Sequence, residues 1–235
     1  MARLPQIGQR IEERALHPFY RAIFDWAYYP LVRAASFHQV LWNAPQAPEA
    51  QKVLLVSNHT SWWDGFLARD VLNQLYPEHQ KLCWVYSKSV EQHLMLRALG
   101  ALPVDPTRPS TLIQCVRKLR EFERQKKPFC LIVFPQGKIW PSHKRPLGFQ
   151  KGVEWLLQHL SFDQVLAMGI HIEPLQSRKP TAWLRVAPSA LKEEFNESTA
   201  EQLEQAVSEQ LSTIQTHLSE RGENATEPSW GWQMI

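Results

Sequence analysis

Long hydrophobic runs are missing from this chain: no stretch reaches the roughly 18 to 20 uninterrupted apolar residues of a membrane-spanning helix. The first ten residues, M-A-R-L-P-Q-I-G-Q-R, lack the apolar core of a secretion signal. The expectation is a protein that neither crosses a bilayer nor is exported. Cysteine is scarce. Cys83, Cys115 and Cys130 are the only three, and an odd count without metal-ligand spacing argues for reduced thiols on the cytosolic side, with no disulfide framework. There is no glycine-rich phosphate loop, no G-x-S-x-G turn, no zinc spacing and no internal repeat, which leaves nucleotide hydrolysis, serine-hydrolase chemistry and solenoid folds without sequence support. Net charge is only +3, so its distribution says more than its sum.

What is present is a globular composition, 44% hydrophobic and 21% charged over 235 residues, enough for one domain with a terminal addition. The ten tryptophans exceed what a core of this size needs, and tryptophan favours membrane–water interfaces.

Strand-like and helix-like stretches alternate. Strands are expected at Val53–Val56, Lys81–Tyr86, Phe129–Phe134, Val165–Ile172 and Thr181–Ala187. Helices are expected at Trp63–Leu75, Ser89–Leu99 (stopped by Gly100), Pro109–Lys127, Phe149–Leu160 and from Phe195 to about Glu220. This order predicts an α/β fold: a mixed, largely parallel sheet flanked by helices, with an N-terminal helical addition. Residues 1–45 are read as that addition, 46–220 as the α/β domain and 221–235 as a flexible tail whose two tryptophans can rest on lipid. Within the addition, His17–Trp42 is rich in aromatics, and Pro30 should break or kink it into two helices. They either pack on the core or lie in the interface, aromatics among headgroups and Arg21 and Arg33 toward phosphates. The basic face of Pro109–Lys127 likewise is either solvated or turned to an anionic leaflet.

The chemistry concentrates after the first strand. In V-L-L-V-S-N-H-T-S-W-W-D, His59 and Asp64 are five residues apart. On one helix they would lie roughly 140° apart and never meet. They meet if His59 stays on the loop and Asp64 enters the first turn of the next helix, with Thr60 or Ser61 as its N-cap. A carboxylate on one imidazole nitrogen leaves the other free to take a proton, which makes a general base. The plainer reading is a loop histidine beside a capping carboxylate.

The run Asn58-His59-Thr60-Ser61-Trp62-Trp63-Asp64 resembles the N-H-x-S-x-x-D signature of the PlsC-like glycerolipid acyltransferases, the lysophosphatidic-acid acyltransferase family. Further blocks extend the resemblance over roughly residues 50 to 175. Gly100–Arg108, G-A-L-P-V-D-P-T-R, is similar to a block G-x-x-P-V-D-R whose arginine is thought to hold the acceptor phosphate. Here Pro106 stands at that place, and Arg108, two residues later, is either its substitute or a solvated loop residue. Phe134-Pro135-Gln136-Gly137-Lys138-Ile139 resembles F-P-E-G-T-R, with Gln136 for the glutamate, Lys138 for the threonine and Ile139 for the arginine. Gly137 allows close backbone approach, so its N–H can face an anion or oxyanion. Gln136 can bond a hydroxyl but cannot act as a base. His171-Ile172-Glu173-Pro174 loosely matches a fourth, apolar-proline block; His171 and Glu173 share a face if extended, either as part of a ligand set or as an ordinary strand end.

What the resemblance implies is transfer of a fatty acyl group from acyl-CoA or acyl carrier protein to a hydroxyl of a lysophospholipid or glycerolipid. His59 and Asp64 would be catalytic; Asn58, Ser61, Arg108, Pro135, Gln136, Gly137 and Lys138 would bind substrate. No metal or cofactor is implied, and no nucleic-acid partner. The protein would sit peripherally on the cytoplasmic side of a membrane. The altered blocks keep two alternatives open: a same-fold enzyme acting on a non-phosphate lipid such as a glycolipid or carotenoid glycoside, or a lipid-binding relative without catalysis.

Overall fold

An apolar run with no polar alternation suits a strand covered on both faces, and two such runs form the centre of the sheet. In β2 (Lys52–Ser57) and β5 (Phe129–Val133) every residue but Lys52 is buried. A computed structural model describes residues 22–46, 48–93, 95–98, 100–189, 198–226 and 231–235. The lead-in expected over residues 1–16, residues 17–21 of the aromatic segment, residues 195–197 of the last helix and Trp230 of the tail lie outside these.

The described strands form one eight-stranded sheet, ordered β4-β3-β5-β2-β6-β7-β1-β8, with β1 at Gln39–Asn43, β3 at Gln80–Tyr86, β4 at Ala101–Val104, β6 at Gln164–Glu173, β7 at Thr181–Pro188 and β8 at Gln233–Met234. All ladders are parallel except β6–β7 and β1–β8. The α-helices among the described residues are α1 (Tyr29–Ser36, preceded by a wide turn at Phe24–Tyr28), α2 (Asp64–Leu75), α3 (Ser87–Gln92), α4 (Met95–Ala98), α5 (Pro109–Arg124), α6 (Gly152–His159) and α7 (Thr199–Arg221). This is the expected mixed, mostly parallel α/β architecture with an N-terminal helical piece.

Alternate residues of the central strands feed two cores. Val53, Leu55, Cys130 and Ile132 pack with Phe66, Leu67, Val71 and Leu72 of α2. Leu54, Val56, Leu131 and Val133 pack on the other face with α5, α6 and α7. The crossovers β2–α2–β3 and β4–α5–β5 run in opposite directions along the sheet, so connections of one hand place their helices on opposite faces. α7 lies close to β6 because Gly169 has no side chain; a Cβ there would sit 2.9 Å from the Leu211 nitrogen.

Several local expectations change. Pro30 lies where two helical pieces meet, as the second residue of α1, just after the wide π-helical turn closed by Tyr29 N–H to Phe24 O. A proline at a helix start lacks only an N–H that would be unused there. Residues 39–43 are not helical but form β1, so part of the segment assigned to the N-terminal addition belongs to the sheet. The segment expected as one helix over Ser89–Leu99 is interrupted at His93, whose extended backbone accompanies an edge-on ring contact with Trp62 at 4.6 Å. Ala101–Val104, not among the strands expected, is an edge strand, a place that tolerates Pro103. The end of the chain is not loose. Trp232 is buried against Leu41, Trp183, Ile214 and Ala225, and β8 pairs with β1, so this tryptophan faces the interior rather than lipid. Among the described residues no helix is long and apolar enough to cross a membrane.

Candidate active site

The C-terminal ends of β2 and β5 are neighbours, Val56 pairing in register with Val133, so the loops from Asn58 and from Phe134 emerge side by side. Open α/β sheets bind ligands at this edge. Asn58 sets the exit direction of the first loop. Its side-chain amide donates to Ile170 O at 2.9 Å and its oxygen accepts from Ile170 N–H at 2.8 Å, adding a rung between β2 and β6. Asn58 is thus buried and structural in its contacts, away from the cavity described below.

Asp64 is the first residue of α2 and is wholly buried. His59 Nδ1 lies 2.8 Å from its Oδ2, which also accepts from the N–H groups of Thr60 at 2.6 Å and Ser61 at 2.8 Å. Ser61 Oγ donates to Oδ1 at 2.5 Å. With Oδ2 the acceptor, the network assigns the proton to His59 Nδ1 and leaves the Nε2 lone pair open. Neither Thr60 nor Ser61 is the N-cap residue expected from the sequence. Trp63 holds that position, Ser61 Oγ accepts the Trp63 N–H at 3.1 Å, and Asp64 reaches back to gather the loop. A carboxylate that bonds the loop preceding its own helix does the work a cap would do.

The imidazole stacks on Phe134, ring centroids 4.5 Å apart and planes at 22°. His59 borders a cavity of about 440 Å³ whose wall is mainly apolar, including Trp62, Trp84, Leu96, Leu112 and Phe134. Of the residues expected to bind substrate, Pro135, Gly137 and Lys138 line this cavity; Asn58, Ser61, Arg108 and Gln136 do not. Gly137 has φ of 72°, which glycine adopts without strain, and a Cβ would stand 2.8 Å from the end of the Gln150 side chain. Its N–H, expected to face an oxyanion, is instead used in a turn to Phe134 O at 3.0 Å. Gln136, expected to bond an acceptor hydroxyl, is buried beneath the loop. Lys138 Nζ sits 4.2 Å from the Trp140 ring centroid, and Lys144 Nζ 4.8 Å from it.

Arg108, the candidate substitute for the missing guanidinium, is not among the residues that line the cavity. Its side chain points to Asp105, 3.7 Å from Nε to Oδ2, and is 66% exposed outside the cavity. Pro106 and Ile139, the residues standing where the resemblance has arginines, do line it. The wall formed by Trp84, Tyr86, Ser89 and Leu96 had no chemical signature, only the apolar pattern of β3 and the short helices after it. Cys83 also borders the cavity, but burial pushes its thiol up to about 12, so it is not a thiolate near neutral pH. His171 lies elsewhere, 3.2 Å from Glu173 Oε2, its basicity lowered by burial more than Glu173 restores it. Among the described residues no three His, Cys, Asp or Glu side chains gather as a metal-binding group.

An imidazole oriented by a carboxylate, on the rim of an apolar cavity at the carboxyl edge of a parallel sheet, is equipped to deprotonate a hydroxyl beside a hydrocarbon chain. The family model described as Acyltransferase matches residues 41–177, more than half of the chain and all of the loops just described. The chain belongs to this acyltransferase family, that of the PlsC-like glycerolipid acyltransferases.

Proposed function

We propose that the protein moves a fatty acyl group from a thioester, acyl-CoA or acyl carrier protein, to a hydroxyl of a lysophospholipid or related glycerolipid. The observation that carries this reading is the 2.8 Å bond between His59 Nδ1 and Asp64 beside an apolar cavity. His59 Nε2 takes the proton of the acceptor hydroxyl as its oxygen attacks the thioester carbonyl. The tetrahedral adduct collapses, the C–S bond breaks, and the imidazolium returns its proton to the departing thiolate. Asp64 holds the ring and offsets its transient charge. The protonated Cys83 supports direct transfer without an acyl-thiol intermediate. The chemistry needs no metal or further cofactor. The apolar wall suits the acyl chain, and Lys138 is the basic side chain it offers to a phosphate.

The protein would act as a peripheral membrane enzyme on the cytoplasmic side. Support comes from the N-terminal turn and α1, where Ile23, Trp26, Tyr28 and Leu31 are exposed, Trp26 to 89%. Such side chains suit insertion among headgroups.

A second acceptor class is favoured by one observation. With Arg108 turned to Asp105 and Pro106 and Ile139 lining the cavity, no arginine among the described residues borders it, which suits a lipid without a phosphomonoester, such as a glycolipid or carotenoid glycoside. A non-catalytic lipid-binding role is disfavoured by the fully bonded His59–Asp64 pair.

The test is thiol release from acyl-CoA or acyl carrier protein with a panel of acceptors. Turnover only with lysophospholipids supports the first reading and only with sugar lipids the second; no turnover with any pair overturns both.

A further inference from the structure

We propose that Gln136 is a positioning residue: its carboxamide fixes the backbone of His59 from behind, and it is an amide because one of the two groups it faces is a carbonyl. This rests on His59 being the base of the reaction above. Gln136 is 2% exposed and does not border the cavity, so it has no access to substrate. Its Oε1 accepts the His59 N–H at 2.6 Å, and its Nε2 donates to Leu147 O at 2.9 Å.

This pair of bonds defines the orientation. Turning the amide over would set NH₂ against N–H and oxygen against carbonyl, two repulsions in place of two bonds. On the other side of the residue, His59 O accepts from Trp140 N–H at 2.9 Å. Both polar backbone atoms of His59 are therefore held by the loop of residues 136–140. Asp64 is held by α2 and bonds the N–H groups of Thr60 and Ser61, the two residues that follow His59. The His59 main chain is thus held on one side by the loop of residues 136–140 and on the other, through Thr60 and Ser61, by Asp64, and the aim of the imidazole depends on both. Slackening of the Gln136 bond moves the His59 main chain while the cavity wall stays as it is.

The same contacts explain why a glutamine stands here. A glutamate would accept from the His59 N–H equally well, but its second oxygen would face Leu147 O with no proton between them. A buried carboxylate so placed is driven to protonate. Once protonated, the acid has an O–H for Leu147 O and a carbonyl for His59 N–H, and both bonds return. Glutamate at this position therefore acts as a pH-dependent copy of Gln136, and leucine, with no polar atom, does not.

The experiment measures kcat and KM of wild type, Gln136→Glu and Gln136→Leu across about pH 6 to 9. At alkaline pH, Gln136→Glu is expected to lose about tenfold or more in kcat with KM within about twofold, as for a base displaced by a fraction of an ångström. The ratio of its kcat to that of wild type rises as pH falls, whereas the Gln136→Leu ratio stays low throughout. A Gln136→Glu enzyme equal to or better than wild type at alkaline pH, or a ratio that does not change with pH, overturns the proposal. A second measurement needs no turnover and no variant: hydrogen exchange of the His59 amide in the wild-type protein. Protection is expected, and exchange at the rate of an unstructured chain overturns the assignment. If wild type releases no thiol, the enzymatic reading fails, and the amide exchange alone decides the bond.

Discussion

The hydroxyl of Tyr29 donates to the carboxylate of Asp70 at 2.7 Å, joining α1 to the helix that begins with Asp64. Arg33 reaches the same Asp70 oxygen at 2.9 Å, and the preceding residue, Arg69, grips Asp25 with two nitrogens at 2.7 Å each. Burial raises the Asp70 carboxyl above its usual range, while the Tyr29 bond and Arg33 pull it back. Removing one donor from a buried acceptor leaves part of its desolvation uncompensated. Tyr29→Phe is expected to destabilise the protein by about 1–2 kcal/mol. Urea unfolding measures this, and a change under about 0.3 kcal/mol would show that the bond contributes nothing net.

His171 gives a pH dependence of defined sign. Its folded-state pKa lies below the ordinary 6.5 because burial outweighs the neighbouring Glu173, with Arg145 adding in the same direction as burial. The stability it contributes is present above 6.5 and is lost as pH falls through the lowered folded value, since the unfolded chain binds the proton first. Unfolding free energies of wild type and His171→Gln should therefore converge or cross as pH drops below 6.5. Parallel curves would contradict it.

Gly137→Ala tests the loop under the cavity. The positive φ of 72° opposes a side chain, and a methyl group would also displace the end of Gln150, 2.8 Å away. The expected result is a loss of more than about 1 kcal/mol in stability, together with slower turnover, read from thermal unfolding and thiol release. A variant as stable and active as wild type would show that the turn adjusts freely.

Among the described residues of the N-terminal piece, Trp26 and Leu31 are the most exposed apolar side chains, at 89% and 71%. Trp26→Ser combined with Leu31→Ser should weaken sedimentation with anionic vesicles while leaving the melting temperature within about 2 °C, as surface substitutions do. Unchanged vesicle binding would remove this surface from the account.

The parts of the fold that could be read in advance were those decided by local pattern. β5 is apolar without interruption and central in the sheet; Asp64, five residues after His59, enters the next helix as its first residue. What escaped depended on distant partners. Gln39–Asn43 is a strand because β7 and β8 flank it, and Trp232 is inside because Leu41, Trp183 and Ile214 leave it a place. Neither fact is written near those residues. At the site, the spacing of His59 and Asp64 implied their contact, but the roles given to Gln136, Gly137 and Arg108 assumed that a residue in a motif faces the ligand. Gln136 faces Leu147, the Gly137 N–H closes a turn, and Arg108 pairs with Asp105. Each preference was settled by a nearer partner that the linear order does not reveal.

The most direct test of the account is the rate of acyl-thioester cleavage by His59→Gln with an acceptor that wild type uses, alongside its melting temperature. Loss of an oriented general base predicts a fall in kcat of about 10²- to 10⁴-fold with the fold intact. Turnover at the wild-type rate by a folded His59→Gln protein would contradict the assignment of His59 as the base.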